Sequence, residues 1–237
     1  VPPALTGAPA LPCRERLPYG ARMTPPEIKI CGLSTPETID AAVDAGADYI
    51  GLVHHEKSPR HLSLDQAAML RARVPERTKV VLLLVNQQPQ PTIAAINAVR
   101  PDIIQFHGSE TAEWLGVIKQ HVKIGIWKAI GVKEAASLER ARRYTGAVDL
   151  LLYDAPAKGA LPGGNGLALD WSILSAHRHT IPWGLAGGLA PGNVANAVRQ
   201  TGAPLVDVSS GVESEPGVKD AGKIRDFIRA ARAIASA

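Results

Sequence analysis

Two side chains stand out for the chemistry they could carry, and both directly follow short apolar runs. Cys31 closes Ile28-Lys29-Ile30-Cys31 and is followed by Gly32 and a helix-start signal, Ser34-Thr35-Pro36-Glu37. A thiolate at that position could take a proton or attack a carbonyl, provided a neighbouring cation lowers its pKa. A small buried hydrophobe is the other use of a lone cysteine. Asp154 closes VDLLLYD and leads into a segment with glycines at 163, 164 and 166. A carboxyl whose pKa is raised by burial could act there as an acid, or it could brace the loop that follows. The glycine-rich stretch reads as a loop able to close over a ligand, or as plain turn chemistry. Cys13 has no comparable setting, and nothing is expected of it.

Other polar residues follow the same kind of apolar run. His54, His55, Lys57 and Arg60 follow DYIGLV, Asn86 follows KVVLLLV and His107 ends DIIQFH. Lys128 lies near the end of KIGIWKAI, while Asp207, Ser209 and Ser210 end the last run. Arg60 is either solvated surface charge or a bidentate clamp for a substrate carboxylate. His107 is either a satisfied core histidine, an orienting group for a substrate, or a residue that lowers the thiol pKa. His54 and His55 are adjacent, so an extended backbone points them to opposite sides, and no third ligand is suitably spaced. No metal site is expected. The segments WGLAGGLAPGNV (183–194) and DVSSGVESEPGVKD (207–220) place Gly187, Gly188, Ser210 and Gly211 where backbone N–H groups could surround an anion. Helix N-termini nearby favour phosphate. No GxxxxGK[ST] is present, so this is not a P-loop.

Something must bring these residues together, and the rhythm of the chain supplies it. Eight apolar runs (28–31, 48–53, 79–85, 102–107, 123–130, 148–154, 181–187 and 205–210) alternate with segments of helical character. Helices are expected over 36–45, 64–73, 91–99, 110–120, 134–143, 170–177, 191–199 and 219–234. Several runs are apolar at nearly every position, as strands covered on both faces must be. Eight such units predict an α/β fold, a single (β/α)8 TIM barrel, whose active site lies at the C-terminal ends of its strands. An open doubly wound sheet is the competing arrangement, but no GxGxxG follows the first run. The barrel domain is assigned to 23–237. Residues 1–22, rich in Pro, Gly and Ala, are expected to be a disordered extension, with Met23 a candidate natural start.

Composition narrows the classes of function. The 237 residues carry 26 Lys+Arg against 22 Asp+Glu, a net charge of +4, without a basic stripe. That argues against nucleic-acid binding. Two cysteines make no disulfide framework and fit a reducing, cytoplasmic setting. No apolar run is long enough to span a bilayer.

Taken together, KICGLSTPE, ADYIGLV, KSPRHLS, IIQFHGSE, WKAIGV, PGGNGLALDW, LAGGLAPGNV and VDVSSGVESEPGVKD closely resemble the phosphoribosylanthranilate isomerase family of tryptophan biosynthesis. The resemblance runs over 28–230 and implies an Amadori rearrangement of N-(5-phosphoribosyl)anthranilate to the corresponding 1-deoxyribulose 5-phosphate. It further implies that Asp154 is the general acid and Cys31 the general base. Arg60 would face the anthranilate carboxylate, with His107 a substrate-binding residue and Asp207 near the sugar hydroxyls. Gly187, Gly188, Ser210 and Gly211 fall in the family's phosphate-binding loops. No cofactor is implied, because the substrate's own nitrogen stabilises the ring-opened cation; the partner is a small phosphorylated molecule, and the chain is a monomer or homodimer. A base working at neutral pH predicts a lowered pKa for Cys31. Two departures from the pattern are visible: VHHEKSPR replaces a more apolar stretch after the second run, and the asparagine of GGNG replaces the usual threonine or serine. A histidine-pathway ribonucleotide isomerase is the neighbouring enzyme class, but it would want an aspartate where Cys31 stands. Indole-glycerol-phosphate synthase would use Lys128 but expects a longer N-terminal helical extension. A catalytically silent phosphometabolite-binding barrel would not need Cys31 and Asp154.

Overall fold

The computed structural model describes residues 24–154 and 171–236. Eight parallel strands are β1 (Glu27–Cys31), β2 (Tyr49–Val53), β3 (Lys79–Leu84), β4 (Ile103–Phe106), β5 (Gly125–Gly131), β6 (Leu150–Asp154), β7 (Trp183–Leu185) and β8 (Leu205–Val208). They pair in chain order and close into a barrel through β8 and β1, with Lys29 opposite Asp207. Helices α1 (Pro36–Asp44), α2 (Leu64–Arg71), α3 (Pro89–Val99), α4 (Ala112–His121), α5 (Ala135–Ala141), α6 (Trp171–Ala176), α7 (Val194–Thr201) and α8 (Ala221–Arg232) follow the strands in turn. The (β/α)8 barrel read from the sequence is the fold. The predicted extension over 1–22 and the glycine-rich 163–166 lie outside the described residues. Among the described residues, no helix is long and apolar enough to cross a membrane.

Local chemistry sets the helix starts. Thr35 caps α1 by accepting from the Thr38 N–H, with Pro36 in the first turn. Ser63 and Gln66 form a reciprocal capping box at α2, while Thr111 and Asp220 cap α4 and α8. The start of α4 is two residues later than the sequence suggests. Glu110 is taken up instead by the loops, accepting from the N–H groups of Asn86 at 2.7 Å and Gly108 at 2.9 Å. The last strands end early, because residues 186–188 turn into a loop and Ser210–Val212 form a short 3-10 turn. A small antiparallel hairpin, β9 (Glu213–Glu215) and β10 (Val218–Lys219), was not expected; Pro216-Gly217 forms its turn.

Side chains alternate across each strand. On β1, Ile28 and Ile30 face the helices and join the main core, whereas Lys29 and Cys31 face the barrel axis. The axis is filled at depth by Val81, Trp127, Ala129, Leu152 and Leu205. Nearer the mouth, Cys31, Val53 and Leu83 form a second apolar group. The same alternation decides which face Lys128, near the end of its run, takes. Trp127 and Ala129 point inward, so Lys128 points outward, donating to the carbonyls of Gly108 at 2.7 Å and Ala129 at 2.9 Å and pairing with Glu110 at 3.3 Å.

Candidate active site

The barrel mouth opens into a cleft of about 260 Å³ whose walls include Cys31, Arg60, His107, Asp154, Gly187, Gly188, Asp207 and Ser210. Eight of the nine residues singled out in the sequence for catalysis or binding therefore meet at one place. Gly211 is the exception. A side chain at Gly211 would collide with the carbonyl of Leu189, so this glycine lets the loops after β7 and β8 approach each other. Consecutive left-handed residues at Gly187 (φ 80°) and Gly188 (φ 67°) turn the chain sharply out of β7. Asn193 fixes that turn, donating to the Gly188 carbonyl at 2.9 Å and accepting from the Ala190 N–H at 2.8 Å.

Cys31 lies in register with Gly51 of β2. A Cβ at residue 51 would lie 3.0 Å from the thiol sulfur, so the glycine leaves the thiol its space. Burial pushes the Cys31 thiol above its ordinary value, although Lys29 pulls the other way. The lowered value expected from the sequence is therefore corrected for the substrate-free enzyme: desolvation of a thiolate outweighs one neighbouring cation.

That cation was missed in the sequence. Lys29 is completely buried inside the barrel, its ammonium 3.0 Å from a carboxylate oxygen of Asp207. Burial alone would lower the Lys29 pKa, but Asp207 and Cys31 outweigh it and keep the group cationic. Burial lifts the Asp207 carboxyl, with Lys29 opposing. The strict alternation of β1 was the available signal: a residue two before Cys31 must share its face.

Across the cleft, Nε2 of His107 lies 3.3 Å from Oδ2 of Asp154. Contact with a carboxyl is not among the roles the sequence suggested for His107. Gln105, two residues earlier on β4, also lines the cleft and is buried, and its side-chain amide oxygen has no hydrogen-bond partner among the described residues. His55 faces the cleft, while His54 turns away to the Leu62 carbonyl at 2.8 Å. Asn86 accepts from the Ser109 N–H at 2.7 Å and braces loops rather than the cleft wall.

Arg60 passes over Gly32, whose φ of 80° and missing side chain leave room for the arginine stem. Its Nε and Nη2 each donate to Glu213 at 2.7 Å. Lys219 donates to the same carboxylate at 2.6 Å and to the Ser209 carbonyl at 2.9 Å. Burial would raise the Glu213 pKa, but the hydrogen bonds from Arg60 and Lys219 bring it down to about 2, so the group is ionised at neutral pH. Glu213 and Lys219 carried no individual signal in the sequence, lying within a loop read only for its small residues.

The rim thus carries a thiol, a carboxyl, a guanidinium and two glycine-containing loops. The model of the N-(5'-phosphoribosyl)anthranilate isomerase family matches residues 28–230. The chain belongs to that family. A relative of the same name in Erythrobacter litoralis is 62% identical over 205 residues, covering 86% of this chain and 98% of the relative. The crystal structure of phosphoribosyl anthranilate isomerase from Thermotoga maritima superposes with a TM-score of 0.80 at 33% identity, covering 87% of this chain and 98% of that one. Another structure of the enzyme, in complex with reduced 1-(o-carboxyphenylamino)-1-deoxyribulose 5-phosphate, superposes with a TM-score of 0.77 at 32% identity, covering 87% and 98%. The isomerase carries out the Amadori rearrangement of tryptophan biosynthesis.

Proposed function

We propose that Asp154 and Cys31 divide the rearrangement of N-(5'-phosphoribosyl)anthranilate between them as acid and base. The observation that carries this reading is their placement around the rim. Cys31 ends β1 and Asp154 ends β6, and the strands between them, β7 and β8, bear Gly187, Gly188 and Ser210. A phosphate held by those loops leaves the ribose ring between thiol and carboxyl, and Arg60, beyond Cys31, faces the anthranilate carboxylate. Asp207 lies at the sugar, beside the base.

Asp154 gives its proton to the ring oxygen. The C1–O bond breaks as the substrate nitrogen supplies its lone pair, leaving a Schiff-base cation and an aspartate anion. Cys31 then takes the proton from C2; the C–H pair becomes a C1=C2 double bond and the C=N pair returns to nitrogen. The enolamine tautomerises to the ketone. His107, against Asp154, orients the carboxyl toward the ring oxygen. The resting thiol is protonated; once substrate is bound it releases that proton to solvent, and Asp154 regains one from solvent at the end of the turnover. The Schiff-base cation adds a second positive charge to that of Lys29 and favours the thiolate at the moment it is needed.

We also read the enzyme as cytoplasmic, a monomer or homodimer, working on a small phosphorylated substrate without nucleic acid, membrane, metal or cofactor. A net charge of only +4, without a basic stripe, supports the first of these exclusions. The roles are tested by following loss of substrate fluorescence, with phosphoribosylanthranilate made in situ. Rapid turnover by the wild type and loss of about 10²-fold or more in both Cys31→Ala and Asp154→Ala is the expected result. Full activity in either variant removes that residue from the chemistry.

A further inference from the structure

We propose that Glu213 is a positioning residue for substrate recognition: from behind the cleft wall it fixes which edge of Arg60 the anthranilate carboxylate meets. The proposal rests on the reading that Arg60 binds that carboxylate. Guanidinium groups have two edges able to hold a carboxylate in a two-pronged bond. In Arg60 the Nε/Nη2 edge is already engaged, both nitrogens lying 2.7 Å from the two oxygens of Glu213. Arg60 lines the cleft and Glu213 does not. The Nη1/Nη2 edge is left for a ligand, held in one orientation instead of sweeping through the rotamers of a long side chain.

The surroundings of Glu213 fit this task. The hairpin of β9 and β10 holds it buried, with Lys223 donating to its backbone carbonyl at 2.7 Å and the Gly217 N–H reaching its carboxylate at 3.3 Å. Lys219 donates to it at 2.6 Å from a side chain with no exposed surface. Two cations and one anion leave a single net positive charge, the complement of one substrate carboxylate. Without Lys219, Glu213 would cancel the charge of Arg60 and leave orientation without attraction. Lys219 also holds Ser209, which lines the cleft next to Ser210, so the brace reaches from the carboxylate end toward the phosphate loops.

The competing role is that Glu213 only docks the hairpin. Binding of two ligands separates the alternatives: the reduced product, 1-(o-carboxyphenylamino)-1-deoxyribulose 5-phosphate after reduction, and its anilino counterpart without the carboxyl group. The wild type is expected to prefer the carboxylated ligand by roughly ten- to hundredfold, the range of a charge-assisted pair. Glu213→Asp keeps the charge but withdraws the fork by one methylene, and is expected to cut that preference about tenfold while affinity for the anilino ligand stays within about threefold. Glu213→Gln is expected to cut it as well, and serves if the aspartate variant does not fold. An unchanged preference in the variants overturns the proposal, as does an equal loss for both ligands, which is the mark of a structural role. A preference that rises in Glu213→Gln also overturns it, because Glu213 would then merely screen Arg60. No preference in the wild type removes the reading of Arg60 itself, a failure distinct from that of Glu213.

Discussion

The double variant Cys31→Ala, Asp154→Ala is expected to be about as slow as the slower single variant, not as slow as the product of the two losses. In the proposed mechanism each residue serves its own step: Asp154 opens the ring, and only afterwards does Cys31 take the C2 proton. Removing one group raises one transition state by the barrier worth of general acid–base catalysis, about 10²–10⁴ in rate. When steps follow one another, the higher barrier sets the turnover, so raising both costs little more than raising the worse. The geometry is consistent with two stations, since the thiol and the carboxyl end strands separated by β7 and β8. Turnover followed by substrate fluorescence in the four proteins checks this. Losses that multiply would mean that both groups act in one transition state, which two successive steps do not allow.

The second large effect concerns pH. Alkylation of Cys31 by iodoacetamide, in a Cys13→Ser background so that one thiol reports, is expected to accelerate about tenfold per pH unit from neutrality and to be still rising at about pH 9. The sign follows from burial. A thiol whose pKa is raised above its ordinary value of 9.0 holds its proton through neutral pH, and only the thiolate reacts. At pH 7 the thiolate fraction is then about 1% or less. Mass measurement of the intact protein gives the rate directly. A plateau reached by about pH 7 would mean that Lys29 outweighs desolvation and that the base stands ready before substrate arrives.

How far the sequence goes can be judged from single residues. The barrel was readable because its signals are local: alternating apolar runs and helices, Thr35 and Ser63 as caps, and Pro36 in a first turn. The ends of the strands were readable because barrels place their chemistry there, and Cys31, Asp154, His107 and Asp207 all line the cleft. The face of Lys128 was left open because position along a strand does not say which side a side chain takes; its neighbours Trp127 and Ala129 decide that. Lys29 shows the converse, since its face was legible from β1 but a lysine at the axis of a barrel is not an expected core residue. Its partner Asp207 is distant in sequence and becomes a neighbour only when β8 closes on β1. The same holds for Arg60 and Glu213, joined across loops after β2 and β8. The raised thiol pKa belongs here too, because burial is a property of the closed barrel and not of the KICG motif. Residues 155–170 lie outside the described residues, so the glycine-rich loop remains an expectation of the sequence.

The division of labour between the two groups is tested most directly by a primary isotope effect with substrate deuterated at ribose C2. With Cys31→Ser, proton removal from C2 becomes the slow step, and the expected result is a large effect on turnover. With Asp154→Asn, ring opening becomes slow and the C2 bond is broken only afterwards, so the expected effect is close to one. The opposite pattern, a large effect in Asp154→Asn and none in Cys31→Ser, would contradict the assignment of acid and base.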